Sequence, residues 1–133
     1  MTVSNPYQTY QQSSVNTASP GDLTLMLYNG CLKFIHQAKK AIEEKNIEEK
    51  NTNIQKASKI VTELMVTLNL ELEVSQNILP LYDFMNRRLI EANLQNNVAA
   101  LNEVEELVTE FRDTWKQVIQ LNRQKQYTQG GQA

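Results

Sequence analysis

Four stretches of the chain repeat apolar residues at the three-to-four spacing of a helix that buries one side. In the second, Ile47, Ile54, Val61 and Leu68 stand seven apart, with Ala57 and Leu64, then Met65 and Leu72, in adjoining positions. That near-heptad spacing is the signature of a bundle seam. In the fourth, a run from Ala100 through Val104, Val108, Phe111 and Trp115 to Ile119 falls within one third of the helical wheel. The third gathers Ile78, Leu81, Tyr82, Met85, Leu89 and Ala92. The periodicity predicts helices over 20–42, 47–70, 78–93 and 98–122. Connections this short make successive helices antiparallel. The fold class is therefore all-α: an antiparallel up-and-down four-helix bundle over 19–122. It is flanked by a mobile N-terminal arm (1–18) and a Gln-rich, disordered C-terminal tail (123–133).

The first helix breaks the pattern. Leu23, Leu27, Cys31, Phe34, Ala38 and Ala41 form one stripe, Tyr28, Ile35 and Ile42 widen it, and Leu25 and Leu32 widen it again. The apolar arc exceeds half the circumference, whereas a surface helix needs about 100° or a little more. Either this helix is central, or something outside the bundle covers part of it. Ile60, Val66, Leu70, Leu79, Phe84, Ile90 and Leu94 also stand off the core stripes. Singly, exposed apolar residues are ordinary. As a set, Leu79 and Ile90 project to one side of the third helix, and Ile60 and Val66 flank the seam of the second. Grooves beside the seams would use such residues to accept a partner's apolar helix.

The start of the first helix is sharply marked. From Met1 to Gly21 no side chain is charged, and Tyr7, Tyr10 and Val15 punctuate a stretch rich in Gln, Ser, Asn and Thr. Ser19 suits the N-cap, Pro20 the first helical position, and Asp22 completes a capping box. The string TASPGDL (17–23), followed by LMLYNG (25–30), resembles the opening of the FliS family of flagellar secretion chaperones. Further echoes are Leu68-Asn69, Leu81-Tyr82, Leu89 with Ala92-Asn93, and Trp115, so the likeness spans Tyr10 to Trp115. One departure is the absence of a glycine turn before the third helix, where the chain reads Leu72 to Asn77 with Pro80 beyond.

The resemblance implies a cytoplasmic export chaperone. Such a protein binds the disordered C-terminal segment of flagellin, keeps subunits from polymerising, and presents them to the flagellar type III export apparatus through an export-gate component. On this reading the partner-binding candidates are Tyr7, Tyr10, Leu25, Leu32, Ile60, Val66, Leu79 and Ile90. The arm would fold back over a groove until the client displaces it. A homodimer is an alternative cover for the surplus apolar surface.

Composition narrows the rivals. The net charge is −2 with both signs interspersed, so no basic stripe marks a nucleic-acid binder. Cys31 is the single cysteine, which precludes an internal disulfide and suits a reducing cytosol. No run approaches the roughly 20 apolar residues of a membrane span, and the N-terminus lacks a signal-peptide pattern. No cofactor or metal is expected. The single histidine, His36, cannot supply the two Glu-x-x-His pairs of a di-iron bundle. The acids Glu103, Glu105, Glu106, Glu110 and Asp113 fan around the fourth helix instead of converging, and read as a solvated face. His36 with Lys39 resembles part of a phosphotransfer motif, but the bulky Lys40 stands where that motif needs a small residue. A surface histidine beside lysines is the simpler reading. Enzyme activity has no support. The alternatives to an export chaperone are a phosphotransfer protein using His36 and a helical adaptor with another client.

Overall fold

Pro20 opens the first helix because its ring presets φ and its missing N–H is not needed in a first turn. The computed structural model describes residues 20–131, with side chains from 21 to 125. The arm with Tyr7, Tyr10 and Val15, and the cap residue Ser19, lie outside the described residues. Helix α1 spans Pro20–Glu43, α2 Ile47–Val66, α3 Glu73–Gln95 and α4 Val98–Gly131. They pack in a ring, α1 on α2 and α4, and α3 on α2 and α4. Cross-helix bonds fix the directions. Lys39 near the end of α1 meets Asn102 near the start of α4, while Gly21 meets Trp115. Asn51 meets Asn93, and Thr62 meets Asn86. The bundle is the antiparallel up-and-down one that the periodicity predicts.

Two of the three connections are as tight as helices allow. After α1, Lys45 takes a left-handed φ of 58°. Asn46 N–H bonds back to Ala41 at 2.8 Å and Lys45 N–H to Ile42 at 3.1 Å, a Schellman closure. Asn46 then caps α2, its side chain accepting from Glu49 N–H. The α3–α4 junction repeats the device: Asn96 is left-handed (φ 52°), Asn97 N–H reaches Ala92, and the Asn97 side chain accepts from Ala100 N–H. The C-terminal cap of α3 is thus Asn96, three residues beyond the expected helix end at 93.

The third connection differs from expectation. α2 ends at Val66, not Leu70, because the Thr67 hydroxyl bonds the Leu64 carbonyl at 2.7 Å and the Asn69 side chain accepts from Glu71 N–H. Such local bonds compete with helix continuation. α3 then starts at Glu73 instead of Ile78, with the Gln76 amide donating to Leu70 O at 2.9 Å. Pro80 consequently lies inside α3, where it can give no N–H to Gln76. At the other end α4 runs past Asn122 to Gly131. Arg123, placed by sequence at the start of the tail, bonds both Asp22 carboxylate oxygens at 3.0 and 3.1 Å. The Gln and Lys residues that follow are adequate helix formers.

The broad arc of α1 is accounted for by burial. Leu27, Tyr28, Cys31, Leu32, Phe34, Ile35, Ala38 and Ala41 are all buried, because α1 packs between two neighbours and reaches the third across the core. Tyr28 and Tyr82 share a hydroxyl–hydroxyl bond of 2.6 Å, and Phe111 stacks on one ring and meets the edge of the other. Burial raises both phenol pKa values and pushes the Cys31 thiol up to about 12. Three expected core residues sit at the surface instead. Ile47 is the first residue of α2, Leu72 precedes α3, and Leu81 falls on the rim of the α3 stripe; all three are exposed.

Candidate functional site

Along the α2–α3 seam the bundle is held by uncharged polar side chains. Ser58 Oγ donates to Asn86 Oδ1 at 2.9 Å, Asn86 Nδ2 donates to Thr62 at 3.2 Å, and Asn93 Nδ2 donates to Asn51 Oδ1 at 2.7 Å. Short polar side chains leave the seam shallow. A cleft of about 450 Å³ lies over it, walled by Ile54, Gln55, Ser58, Lys59 and Thr62 from α2 and by Ile90, Asn93 and Leu94 from α3. Leu94 is 80% exposed, Ile90 55% and, at the end of α2, Val66 79%. Leu70, Leu72 and Val74, in the connection and the first turn of α3, are exposed as well. The surface has a polar hydrogen-bonding floor and aliphatic rims, with Lys59 the one charged residue of the cleft wall. It fits an amphipathic helix, and its wall holds no His, Cys, Asp or Glu beside the Ser58 and Thr62 hydroxyls.

The candidate residues divide. Ile90 walls this cleft, and Val66 is exposed at the end of α2, outside the cleft wall. Leu79 is half-buried two turns before Asn86 on the same side of α3, and Leu25 is half-buried near the start of α1. Leu32 and Ile60 are core residues, which removes both from the free surface. A Cβ on Gly30 would meet Ile60 Cδ1 at 3.3 Å, so Ile60 packs closely against the bare backbone of Gly30. Tyr7 and Tyr10 lie outside the described residues. Leu94 was passed over as a site residue although it stands off the stripe. The polar ladder was also missed, and its signal is present: Asn51 and Ser58, and likewise Asn86 and Asn93, stand seven apart.

The α1–α4 seam accounts for the other marked residues. His36 Nε2 lies 2.5 Å from Glu105 Oε2, and Lys39 Nζ 3.1 Å from Glu105 Oε1, so the exposed His36 ring sits beside an acid of α4 as well as beside lysines. The acids of α4 are largely spoken for: Glu103 pairs with Arg88 and Asp113 with Arg112. Glu91 and then Glu103 raise the Arg88 pKa. Among the described residues no three His, Cys, Asp or Glu side chains are grouped to hold a metal ion. No helix there is long and apolar enough to cross a membrane.

A family model described as flagellar protein FliS matches residues 3–122. The chain is 54% identical, over 98% of both lengths, to the flagellar secretion chaperone FliS of Bacillus subtilis (strain 168). The chain belongs to the FliS family. It is also 38% identical to the flagellar secretion chaperone FliS of Escherichia coli (strain K12), covering 81% of this chain and 82% of that one. A solved structure described as a flagellar chaperone from bacteria superposes with a TM-score of 0.71 over 86% of this chain and 94% of that chain, at 16% identity, and so shares the fold. The FliS family is one of chaperones, not enzymes. The missing glycine turn before α3 is therefore compatible with membership.

Proposed function

We propose that this FliS-family chain is a cytosolic export chaperone that binds the disordered C-terminal region of flagellin. By covering the apolar face of that segment it prevents premature polymerisation and assists delivery to the flagellar type III secretion apparatus. The observation that carries this reading is the α2–α3 surface, where Ile90 and Leu94 wall a cleft of about 450 Å³ and stand exposed. An amphipathic helix laid there would bury these side chains and could bond the polar floor. Ordering a disordered client costs free energy, which a large wrapped interface offsets. Release by handover to an export-gate component needs no hydrolysis by the chaperone. A homodimer is a second means of covering the same surface.

The test is calorimetry with a peptide from the C-terminal region of flagellin. The expected result is one-to-one binding, a gain in helical circular dichroism and a negative heat-capacity change. Equal binding of a scrambled peptide, or none at high micromolar concentration, would overturn the reading.

A further inference from the structure

The two tight junctions, Lys45–Asn46 and Asn96–Asn97, meet at the end of the bundle away from the 67–72 connection. A cation is buried between them. Lys50 is only 6% exposed, and its ammonium donates to Asn93 O at 2.8 Å and Asn96 Oδ1 at 2.5 Å. Both acceptors are neutral, and among the described residues no carboxylate pairs with it. Lysine is seldom this buried without an acid partner. The C-terminal end of the α3 dipole answers part of the charge. An ammonium carries three N–H bonds, and two have acceptors here.

Beside Lys50 lies a pocket of about 290 Å³. Ala41, Ile42 and Ile47 give it apolar walls, and Lys45, Asn46 and Asn96 give it a polar rim. The first turn of α2, whose leading N–H groups have no partner within the helix, starts at this rim. Of the two acids in that turn, Glu49 leans toward Asn53 (3.4 Å) and Glu48 is exposed. The volume is at the small end for ligand sites and suits one aliphatic residue, not a helix.

We propose that this pocket binds a carboxylate carried on a short branched aliphatic group, the chemistry of a polypeptide chain ending in leucine, isoleucine or valine. The carboxylate takes the third Lys50 proton in a charge-assisted bond, with the Lys45 ammonium as a second cation at the rim. The aliphatic group packs on Ile42 and Ile47. This site does not depend on the flagellin reading, since its residues and its probes are separate from the α2–α3 surface.

Amide chemical shifts of the full chain, titrated with N-acetyl-leucine up to about 10 mM, test the proposal at the affinity expected of so small a ligand. Saturable shifts should appear at 46–50 and 93–97. N-acetyl-leucinamide, which lacks the carboxylate, should leave them unmoved. Lys50→Met should weaken the response about tenfold or more, the worth of one charged hydrogen bond. Ile47→Ser should weaken it also; that residue is 69% exposed, so this variant carries the test if Lys50→Met fails to fold. Two octapeptides ending in leucine, one as free acid and one as amide, separate the sources. Binding of the free acid alone assigns the site to chain termini, and binding of N-acetyl-leucine but neither peptide assigns it to small free acids. Equal shifts from the carboxylate and amide forms, or an undiminished response in both variants, would overturn the proposal.

Discussion

Leu89 and Ile90 are neighbours in sequence, about 100° apart around α3, one fully buried and the other exposed, so they separate stability from recognition. Consider Ile90→Ser combined with Leu94→Ser. Full burial of such a side chain is worth about 1.5–3 kcal/mol. Ile90 is 55% and Leu94 80% exposed, so a client can still bury roughly those fractions. The two together then contribute about 2–4 kcal/mol to binding, a loss of roughly 30- to 700-fold in affinity. Folding should barely respond, since exposed substitutions usually stay within about 0.5 kcal/mol each. Leu89→Ala is the counterpart. Leu89 is fully buried, so this change should cost about 2–5 kcal/mol of stability while leaving the groove chemistry in place. Calorimetry with the flagellin C-terminal peptide and urea unfolding, run on both variants, read the two quantities. If the double serine variant binds within about threefold of the parent, too small a change for the area removed, the α2–α3 surface is not where the client sits.

Three further outcomes are expected. His36→Gln should leave motility and peptide binding intact and cost less than about 1 kcal/mol, because its pair with Glu105 is largely exposed on the His36 side; a swimming defect at normal abundance would revive phosphotransfer. Lys45→Gly should raise stability by about 0.5–1 kcal/mol in urea titrations, relief at the left-handed position exceeding the added entropy of the unfolded chain; destabilisation would mean the lysine side chain has a role at that turn. Unfolding free energy should fall with pH above 9: the Cys31 thiol ionises near its ordinary value of 9.0 when unfolded but only at about 12 when buried. Its contribution is whole below pH 9 and is lost at about 1.4 kcal/mol per pH unit between the two values. Cys31→Ala should remove that part of the slope, and an unchanged slope would refute the assignment.

Much of the bundle is legible in the chain because period and punctuation agree. The periodicity places the α1–α2 boundary between 42 and 47 and the start of α4 at 98, where the structure has Glu43, Ile47 and Val98. The 67–73 region is not legible in this way. There the apolar spacing runs on through Leu68 and Leu72 while Thr67 and Asn69 divert the backbone hydrogen bonds, and periodicity carries no record of that competition. Ile60 shows a second limit. Its place on the helical wheel puts it beside the seam, yet it is fully buried and packs closely against Gly30 of another helix. The site was half legible: Val66 and Ile90 announce themselves as apolar residues off the stripe. The floor between them depends on pairing Ser58 and Thr62 with Asn86, which needs the register of two helices. The family was legible from TASPGDL and LMLYNG, a local string that tertiary packing does not disguise.

The polar lacing has a consequence for how the chain assembles. α1 with α2, and α3 with α4, are joined by minimal turns, and these local pairings close early because little chain entropy is spent on each. The two hairpins must then dock along α2–α3 and α1–α4, the seams carrying Ser58–Asn86, Asn51–Asn93, Lys39–Glu105 and Trp115–Gly21. Bonds of that kind add little net driving force, but a slip of one helical turn would leave every partner mismatched. Register is thereby written into the last step of folding. Trp115, the only tryptophan, sits on a docking seam, so its fluorescence in a stopped-flow experiment should report that step after helical circular dichroism has largely developed.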